Sequence, residues 1–162
     1  MLSKKLEEAL NKQINAEFWS AYLYLSMSSY LESEGLGGMA LWMQKQFAEE
    51  QEHAMKLYNY VLDKGGKVLL QPIAAVETKW KGALDVFQAT LKHEEFVTSL
   101  INDLCSLSVK EKDYSTKSFL LWFVNEQVEE EKNAREIIDK LKLIGKDGYG
   151  IYQFDKEMGQ RK

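Results

Sequence analysis

One histidine and several glutamates interrupt otherwise apolar helical patterns in this chain of 162 residues. In the segment FAEEQEHAMKLY, Glu50 and His53 lie three residues apart, so on a helix their side chains would lie one turn apart on the same face. A carboxylate and an imidazole at this spacing can hold one metal ion together. Oxygen-rich ligation with one imidazole suits iron or manganese better than structural zinc, which prefers cysteine and histidine.

Long helices are needed to position these residues. The sequence predicts four of them, at about 4–34, 38–64, 79–109 and 114–144, and a short fifth helix at about 148–158. Glycine clusters and the single proline, Pro72, separate the helices. The second link, of about 15 residues, is long enough to run most of the length of a bundle, whereas the first and third links are short. We therefore predict one all-α domain over residues 1–162, a four-helix bundle with one long crossover.

Each of the four long helices carries an apolar seam with alternating spacings of three and four residues. Every seam contains one carboxylate near its midpoint, and these belong to Glu17, Glu50, Glu94 and Glu130. Because the midpoints of equally long helices share one level of a bundle, we expect the four carboxylates to converge in the core. His53 and Gln127 should lie beside them.

The four carboxylates need positive charge. No lysine or arginine occupies a matching seam position, and an isolated buried charge costs on the order of several kcal/mol. We infer one or two divalent metal ions at this level, with Glu50 central enough to bridge them. For any single glutamate a solvated helix face is the simpler interpretation, but the coincidence on four helices favours a metal site.

The segments NAEFWSAYLYL, FAEEQEHA, LKHEE and WFVNEQVEEE together resemble the prokaryotic non-haem ferritins. The resemblance covers the whole chain and implies a ferritin-like four-helix bundle with a di-iron centre inside each subunit. It implies two iron sites that share Glu50, with Gln127 close by. The residues that match the first site are Glu17, Glu50 and His53, and those that match the second are Glu50, Glu94 and Glu130.

The same resemblance implies roles for residues around the di-iron centre. The residues that match the family's third iron site are Glu49, Glu126, Glu129 and Glu130. Tyr24 matches a tyrosine that hydrogen-bonds a ligand and acts in electron transfer, and Trp122 also falls in the family's position near the site. For Tyr24 and Trp122, plain core packing is the alternative.

Differences in residues and in the location of the site distinguish this chain from bacterioferritins, rubrerythrins and mini-ferritins. Bacterioferritins carry Glu-x-x-His on the fourth helix and a haem-binding methionine after the glutamate of the second helix. This chain has Glu130 in place of that histidine and Gln51 in place of that methionine, so no haem is expected. A single cysteine, Cys105, cannot build the cysteine-rich iron module of rubrerythrins. Mini-ferritins place their site between subunits, without ligands from the third and fourth helices.

The implied function is that of a ferroxidase and iron store. Fe(II) would be oxidised to Fe(III) with O2 or H2O2 and deposited as ferric oxyhydroxide inside a hollow cage of about 24 subunits. Two features of the sequence suggest surfaces for self-assembly. The fifth helix is too short to be stable alone, and the first helix carries a second apolar stripe of Trp19, Tyr22, Leu23, Ser26 and Tyr30.

Composition excludes several other classes of protein. The net charge of −4 and the absence of a basic stripe argue against a nucleic-acid partner. No segment has the roughly 18 apolar residues of a membrane helix, and the charged N-terminus does not resemble a signal peptide. A single cysteine excludes an internal disulfide, so a cytoplasmic protein is predicted.

Two other functions stay open. A di-iron or di-manganese oxidase, or a peroxide scavenger, would keep the site and hold about two metals per chain without storing iron. A purely structural bundle or adaptor would have the four seam glutamates facing solvent. His93, next to Glu94, is expected on the surface.

Overall fold

The computed structural model describes all 162 residues as five α-helices joined by loops. The helices are α1 (Lys4–Ser33), α2 (Gly37–Asp63), α3 (Ala83–Lys110), α4 (Tyr114–Ile144) and α5 (Gly148–Met158). The predicted all-α bundle with one long crossover and a short fifth helix is confirmed. None of the five helices combines the length and apolarity that crossing a membrane requires.

Short polar residues fix where three of the helices begin. Ser3, Asp113 and Asp147 each accept a hydrogen bond from a backbone N–H in the first turn of α1, α4 and α5. These caps satisfy donors that have no partner within the helix. The largest difference from the predicted boundaries is at α3, which begins at Ala83 because Gly82 has a φ of 102°, outside the helical region.

The crossover between α2 and α3 runs along the outside of α1. Its start is bonded to Asn11, whose amide nitrogen donates to the Lys67 carbonyl at 2.9 Å. Its end is bonded to Tyr30, whose hydroxyl accepts from the Gly82 N–H at 2.8 Å. The helix between Asn11 and Tyr30 is about 28 Å long, so the crossover returns the chain to the end of the bundle where α2 began. Helices α2 and α3 are therefore parallel.

This path corrects one expectation about assembly. The stripe on α1 was expected to be an exposed surface, but the crossover of the same chain covers part of it. Trp19 donates from Nε1 to the Ala75 carbonyl at 3.3 Å, and Ser26 donates to the Glu77 carbonyl at 2.6 Å. Tyr22 is half exposed, whereas Leu23 is buried.

Helix α5 docks on the first turn of α2. The Asp155 carboxylate accepts from the backbone N–H groups of Gly38 and Met39 at 3.1 and 2.8 Å. A Cβ atom at Gly38 would lie 1.7 Å from the Asp155 carbonyl oxygen, so only glycine allows this approach. Phe154 and Met158 are buried on the inner side of α5. The C-terminus is thereby held close to the α2 face.

The core consists of two apolar clusters with a polar layer between them. One cluster of 15 buried residues lies at the end of the bundle that holds α5 and includes Met43 and Phe87. The other, of 9 buried residues, includes Leu57 and Ile101 and lies towards the opposite end. The two clusters hold the four helices rigidly on either side of the polar layer, which is where the predicted carboxylates lie.

Candidate metal centre

The four seam glutamates converge, as the helical spacing predicts. Glu17 of α1, Glu50 of α2, Glu94 of α3 and Glu130 of α4 are between 1% and 5% exposed. The alternative in which these side chains face solvent is therefore wrong for this structure. His53 is buried in the same layer, one turn after Glu50, with Nδ1 3.3 Å from Glu50 Oε2.

Two groups of ligand atoms share Glu50. The first comprises Glu17, Glu50 and His53, and the second comprises Glu50, Glu94 and Glu130. Within each group, one candidate ligand atom from each residue lies within 4.8 Å of the others. These groups have the residue composition of the two predicted iron sites, with Glu50 in the position to bridge.

Hydrogen bonds orient three of the four carboxylates, those of Glu17, Glu94 and Glu130. Gln13 donates from Nε2 to Glu17 Oε1 at 2.8 Å, and Gln46 donates from Nε2 to Glu130 Oε2 at 2.5 Å. Glu94 accepts twice, from the hydroxyl of Tyr24 and from Nε2 of Gln127 at 3.0 Å. Because these partners are themselves buried, the carboxylates are held in place before any ion binds.

Gln127 and Tyr24 therefore lie beside the ligand groups. Gln127 Nε2 also donates to the backbone carbonyl of Glu94 at 3.1 Å and to Thr98 Oγ1 at 3.2 Å, which anchors α4 to α3. Tyr24 is fully buried, and burial together with the charge of Glu94 raises the pKa of its hydroxyl well above the usual value. The phenol therefore stays protonated at neutral pH and donates a hydrogen bond to Glu94.

Burial and mutual repulsion raise the pKa values of three of the carboxylates, Glu50, Glu94 and Glu130, and so favour their protonated forms when no cation is bound. Burial raises the pKa of Glu94 to about 7 and that of Glu130 to about 9. Burial, and then the charges of Glu17 and Glu94, raise the pKa of Glu50 well above its usual value. Binding of a metal ion would reverse these shifts and release protons.

The donor set fits a metal ion. Glu17 Oε2 is buried and has no hydrogen-bond partner, which is costly for a carboxylate unless a cation completes its environment. No side-chain N–H of lysine or arginine bonds to any of the four seam carboxylates. Hard oxygen ligands with one imidazole match iron or manganese.

The residues predicted for a third iron site are arranged differently from the expectation. Glu126 and Glu130 lie together, but their third partner is His53, with His53 Nε2 3.9 Å from Glu126 Oε1. Glu129 is exposed and belongs to none of the three ligand groups. Glu49 is bonded to Arg161, whose Nη2 lies 2.9 Å from Glu49 Oε2.

A surface cavity of about 460 Å³ opens beside this acidic region and has His53 in its wall. Trp122 packs edge-on against the His53 ring, with centroids 5.3 Å apart, and is 38% exposed. Lys56 Nζ lies 3.5 Å from the centroid of the Trp122 ring. Trp122 therefore lies near the site, as expected, and forms part of its opening rather than of a closed core.

His93 is half-buried instead of lying on the surface as expected. Its Nε2 is 2.7 Å from Ser20 Oγ, and its ring packs against Trp19 with centroids 5.2 Å apart. Burial lowers its pKa to about 4, so the ring is neutral at neutral pH. The ring packs edge-on against that of Tyr24, with centroids 6.0 Å apart.

Sequence reasoning missed the glutamines that hold the carboxylates. Gln13 and Gln46 lie four residues before Glu17 and Glu50, so they follow the same helical face. That spacing is the feature that could have identified them. Gln46 is 1% exposed, whereas the next residue, the apolar Phe47, is only partly buried, so hydrophobicity alone does not mark Gln46 as a core residue.

Comparison with known proteins matches residues 7–144 to a family model described as a ferritin-like domain. The bacterial non-heme ferritin of Bacteroides fragilis is 45% identical over 161 residues, covering 99% of this chain and 100% of that protein. The one from Campylobacter jejuni is 45% identical and covers 96% of this chain and 93% of its own. The crystal structure of an open pore ferritin from Archaeoglobus fulgidus superposes with a TM-score of 0.99 at 46% identity, covering 100% of both chains.

Proposed function

The chain belongs to the ferritin-like family, with bacterial non-haem ferritins among its relatives, and from this premise we propose that it is an iron-storage ferritin with ferroxidase activity. The substrate is Fe(II), which is oxidised to Fe(III) with O2 or H2O2 at the two ligand groups that share Glu50. The product is deposited as ferric oxyhydroxide inside a hollow cage of about 24 copies of the chain. The proposal includes a cytoplasmic location and no haem.

One observation carries this proposal. Two three-residue ligand groups meet at Glu50 in a buried layer that contains no lysine or arginine. Such a pair of groups is suited to two ions about 3.5–4 Å apart, the usual separation in two-metal sites. A structural bundle would gain nothing from placing four carboxylates there, because their desolvation destabilises the fold.

The residues contribute positioning and charge to the reaction. Each Fe(II) ion gives one electron to the oxidant, and anionic carboxylate oxygens favour Fe(III) because they stabilise the higher charge. Glu94 and Glu130 lose their protons as the ions bind. Tyr24 keeps Glu94 oriented through its hydroxyl and is proposed as the residue that assists electron transfer.

A further ion is proposed to bind next to this centre. Its ligands would come from Glu49, Glu126, Glu129 and Glu130, beside the cavity that Trp122 lines. Gln127 is proposed to act near the second ion, because its amide nitrogen donates to Glu94. The exposed Glu129 would have to turn towards the site for the full set to form.

Aerobic loading of the purified protein with Fe(II) tests the proposal. We expect retention of far more iron per chain than the roughly two or three ions that the ligand groups can hold, in a soluble particle whose mass corresponds to a cage. Retention that stops at about two or three ions per chain would favour an oxidase or peroxide scavenger without storage. Uptake no better than in buffer would leave a structural bundle.

A further inference from the structure

Arg161, three residues beyond α5, brings a positive charge from the C-terminus to the acidic region. Its Nη2 lies 2.9 Å from Glu49 Oε2. Its Nη1 donates to the Trp42 carbonyl at 3.1 Å and to Gln46 Oε1 at 3.0 Å. The guanidinium carbon lies 4.3 Å from the centroid of the Trp42 ring. Four contacts with one face of α2 thus fix the guanidinium in position.

Gln46 connects Arg161 to the buried centre. Its amide oxygen accepts from Arg161, and its amide nitrogen donates to Glu130 Oε2 at 2.5 Å. Because the guanidinium can only donate, its hydrogen bond to the amide oxygen favours the orientation of Gln46 in which the amide nitrogen faces Glu130. The side chain of Arg161 therefore contacts Glu49 directly and is connected to Glu130 through Gln46.

The docking of α5 explains how Arg161 reaches this place. Asp155 is bonded to the first turn of α2, which directs the chain after Met158 along the α2 surface. Trp42, Gln46 and Glu49 follow one another at spacings of four and three on that surface. The guanidinium has a side-chain exposure of 17%, so the ion pair with Glu49 is partly shielded from solvent.

Building on the proposed function, we propose that Arg161 is a built-in competitor for the third iron site. When no ion is bound there, its guanidinium neutralises Glu49 and orients Gln46 towards Glu130. An ion that binds through Glu49 must displace Arg161 from that carboxylate. Arg161 therefore lowers the affinity of the third site and leaves the two buried ligand groups to fill first.

The expected change follows from the strength of the ion pair. A partly exposed pair contributes up to about 1 kcal/mol, so removal of the competing charge should tighten the third binding event about fivefold. Lysine would keep the charge beside Glu49 but not the planar fork that also engages Gln46. The variant R161K should therefore stay within about twofold of the wild type at this event.

Zinc titration of the metal-free protein by calorimetry measures the effect without any redox step. The variants are R161Q, R161K and E49Q, with K162Q as the matched control, because Lys162 is the exposed neighbouring cation. We expect R161Q to lower the dissociation constant of the weakest zinc-binding event about fivefold and to leave those of the tighter events unchanged. We expect K162Q to match the wild type, and E49Q/R161Q to show no gain over E49Q.

The inference would be overturned if the third zinc-binding event had the same or a lower affinity in R161Q than in the wild type, or if K162Q showed the same increase in affinity. It would also be overturned if neither R161Q nor the wild type showed a third binding event. Thermal midpoints and particle mass report whether R161Q still folds and assembles. If it does not, the crystal structure of the zinc-loaded wild type decides. We expect an ion at Glu49 with the guanidinium moved away, and an ion at Glu49 with Arg161 still bonded would refute competition.

Failure of this inference differs from failure of the proposed function. If only the role of Arg161 is wrong, the wild-type protein still binds zinc tightly at the two buried groups and still loads iron. If the proposed function is wrong, the wild type does neither, whatever residue occupies position 161.

Discussion

The buried polar layer and the surface opening beside it are both acidic, but only the opening contains positive charges of the chain itself. In the layer, Glu17 Oε2 has no partner, and Glu94 and Glu130 have raised pKa values. At the opening, Arg161 is bonded to Glu49, and Lys56 lies over Trp122. The two regions adjoin each other through His53 and Glu126.

This difference indicates how the chain treats cations at each place. The layer is held by glutamine and tyrosine donors, which orient carboxylates without neutralising them. It is therefore left for ions that come from outside. The opening has its own cations, which compensate the acidic surface and would have to move away from it if an ion bound there. We therefore expect ions to bind tightly in the layer and weakly at the opening.

Removal of the shared ligand should produce the largest effect. Glu50 belongs to both ligand groups, so E50Q should lower the initial rate of Fe(II) oxidation by at least about 100-fold, because even residues behind the ligands can be worth that much. Stopped-flow absorbance measures the rate. The control is E95Q on α3, since Glu95 is exposed and next to Glu94. Equal rates in E50Q and E95Q would remove the distinction between layer and surface.

The stability of the metal-free protein should depend on pH. The pKa values of Glu94 and Glu130 are about 7 and about 9, above the ordinary value of 4.5. At pH values between about 4.5 and about 9, the folded state therefore binds more protons than the unfolded chain. Stability must then fall as the pH rises from about 4.5 to about 9. We expect a loss of about 4 kcal/mol between pH 6 and pH 8, most of it from Glu130.

Thermal unfolding at the two pH values measures this loss. The variant E130Q should show a smaller decrease, because it removes the carboxyl group with the higher of the two pKa values. Saturating zinc should also reduce it, because a bound cation favours the ionised carboxylates. A midpoint that rises over this range in the metal-free wild type would contradict the account of the layer.

Loss of the Tyr24 hydroxyl should have a smaller effect. In Y24F, Glu94 loses a hydrogen bond that lowers its pKa, so it keeps its proton to higher pH. We expect the oxidation rate at pH 7 to fall about tenfold, in line with one hydrogen bond to a charged group. The pH profile of the rate should also move upwards. An unchanged profile would mean that Tyr24 only fills space.

The smallest effect should come from the opening. K56Q removes a positive charge from the wall of the cavity, so Fe(II) uptake should be faster by about twofold at low ionic strength. The gain should disappear at high salt, where surface charges are screened. Lys45, an exposed lysine of α2, provides the control variant K45Q. A gain that is independent of salt would point to a steric effect of Lys56 instead.

Much of the layer could be predicted because helical periodicity is local. The seam of α1, which contains Glu17, and that of α4, which contains Glu130, are buried throughout, since one apolar face fixes the rotation of a long helix. The short loop after α1 and the long crossover were enough to predict which helices are parallel. The fold of the bundle followed from the same observations.

The opening could not be predicted in the same way. Arg161 follows the last helix, where no periodicity exists, and its partner Glu49 is 112 positions earlier in the chain. Whether the two meet depends on the approach of α5 to Gly38, a tertiary contact without a sequence pattern. The interaction of Lys56 with Trp122 likewise joins two helices that are distant in sequence.

Anomalous diffraction at the iron edge from crystals soaked anaerobically with Fe(II) tests the central claim most directly. We predict two iron peaks inside each bundle, about 3.5–4 Å apart, with Glu50 between them and His53 on one. Peaks confined to the surface around Glu49 and Glu129, with none in the buried layer, would contradict the account.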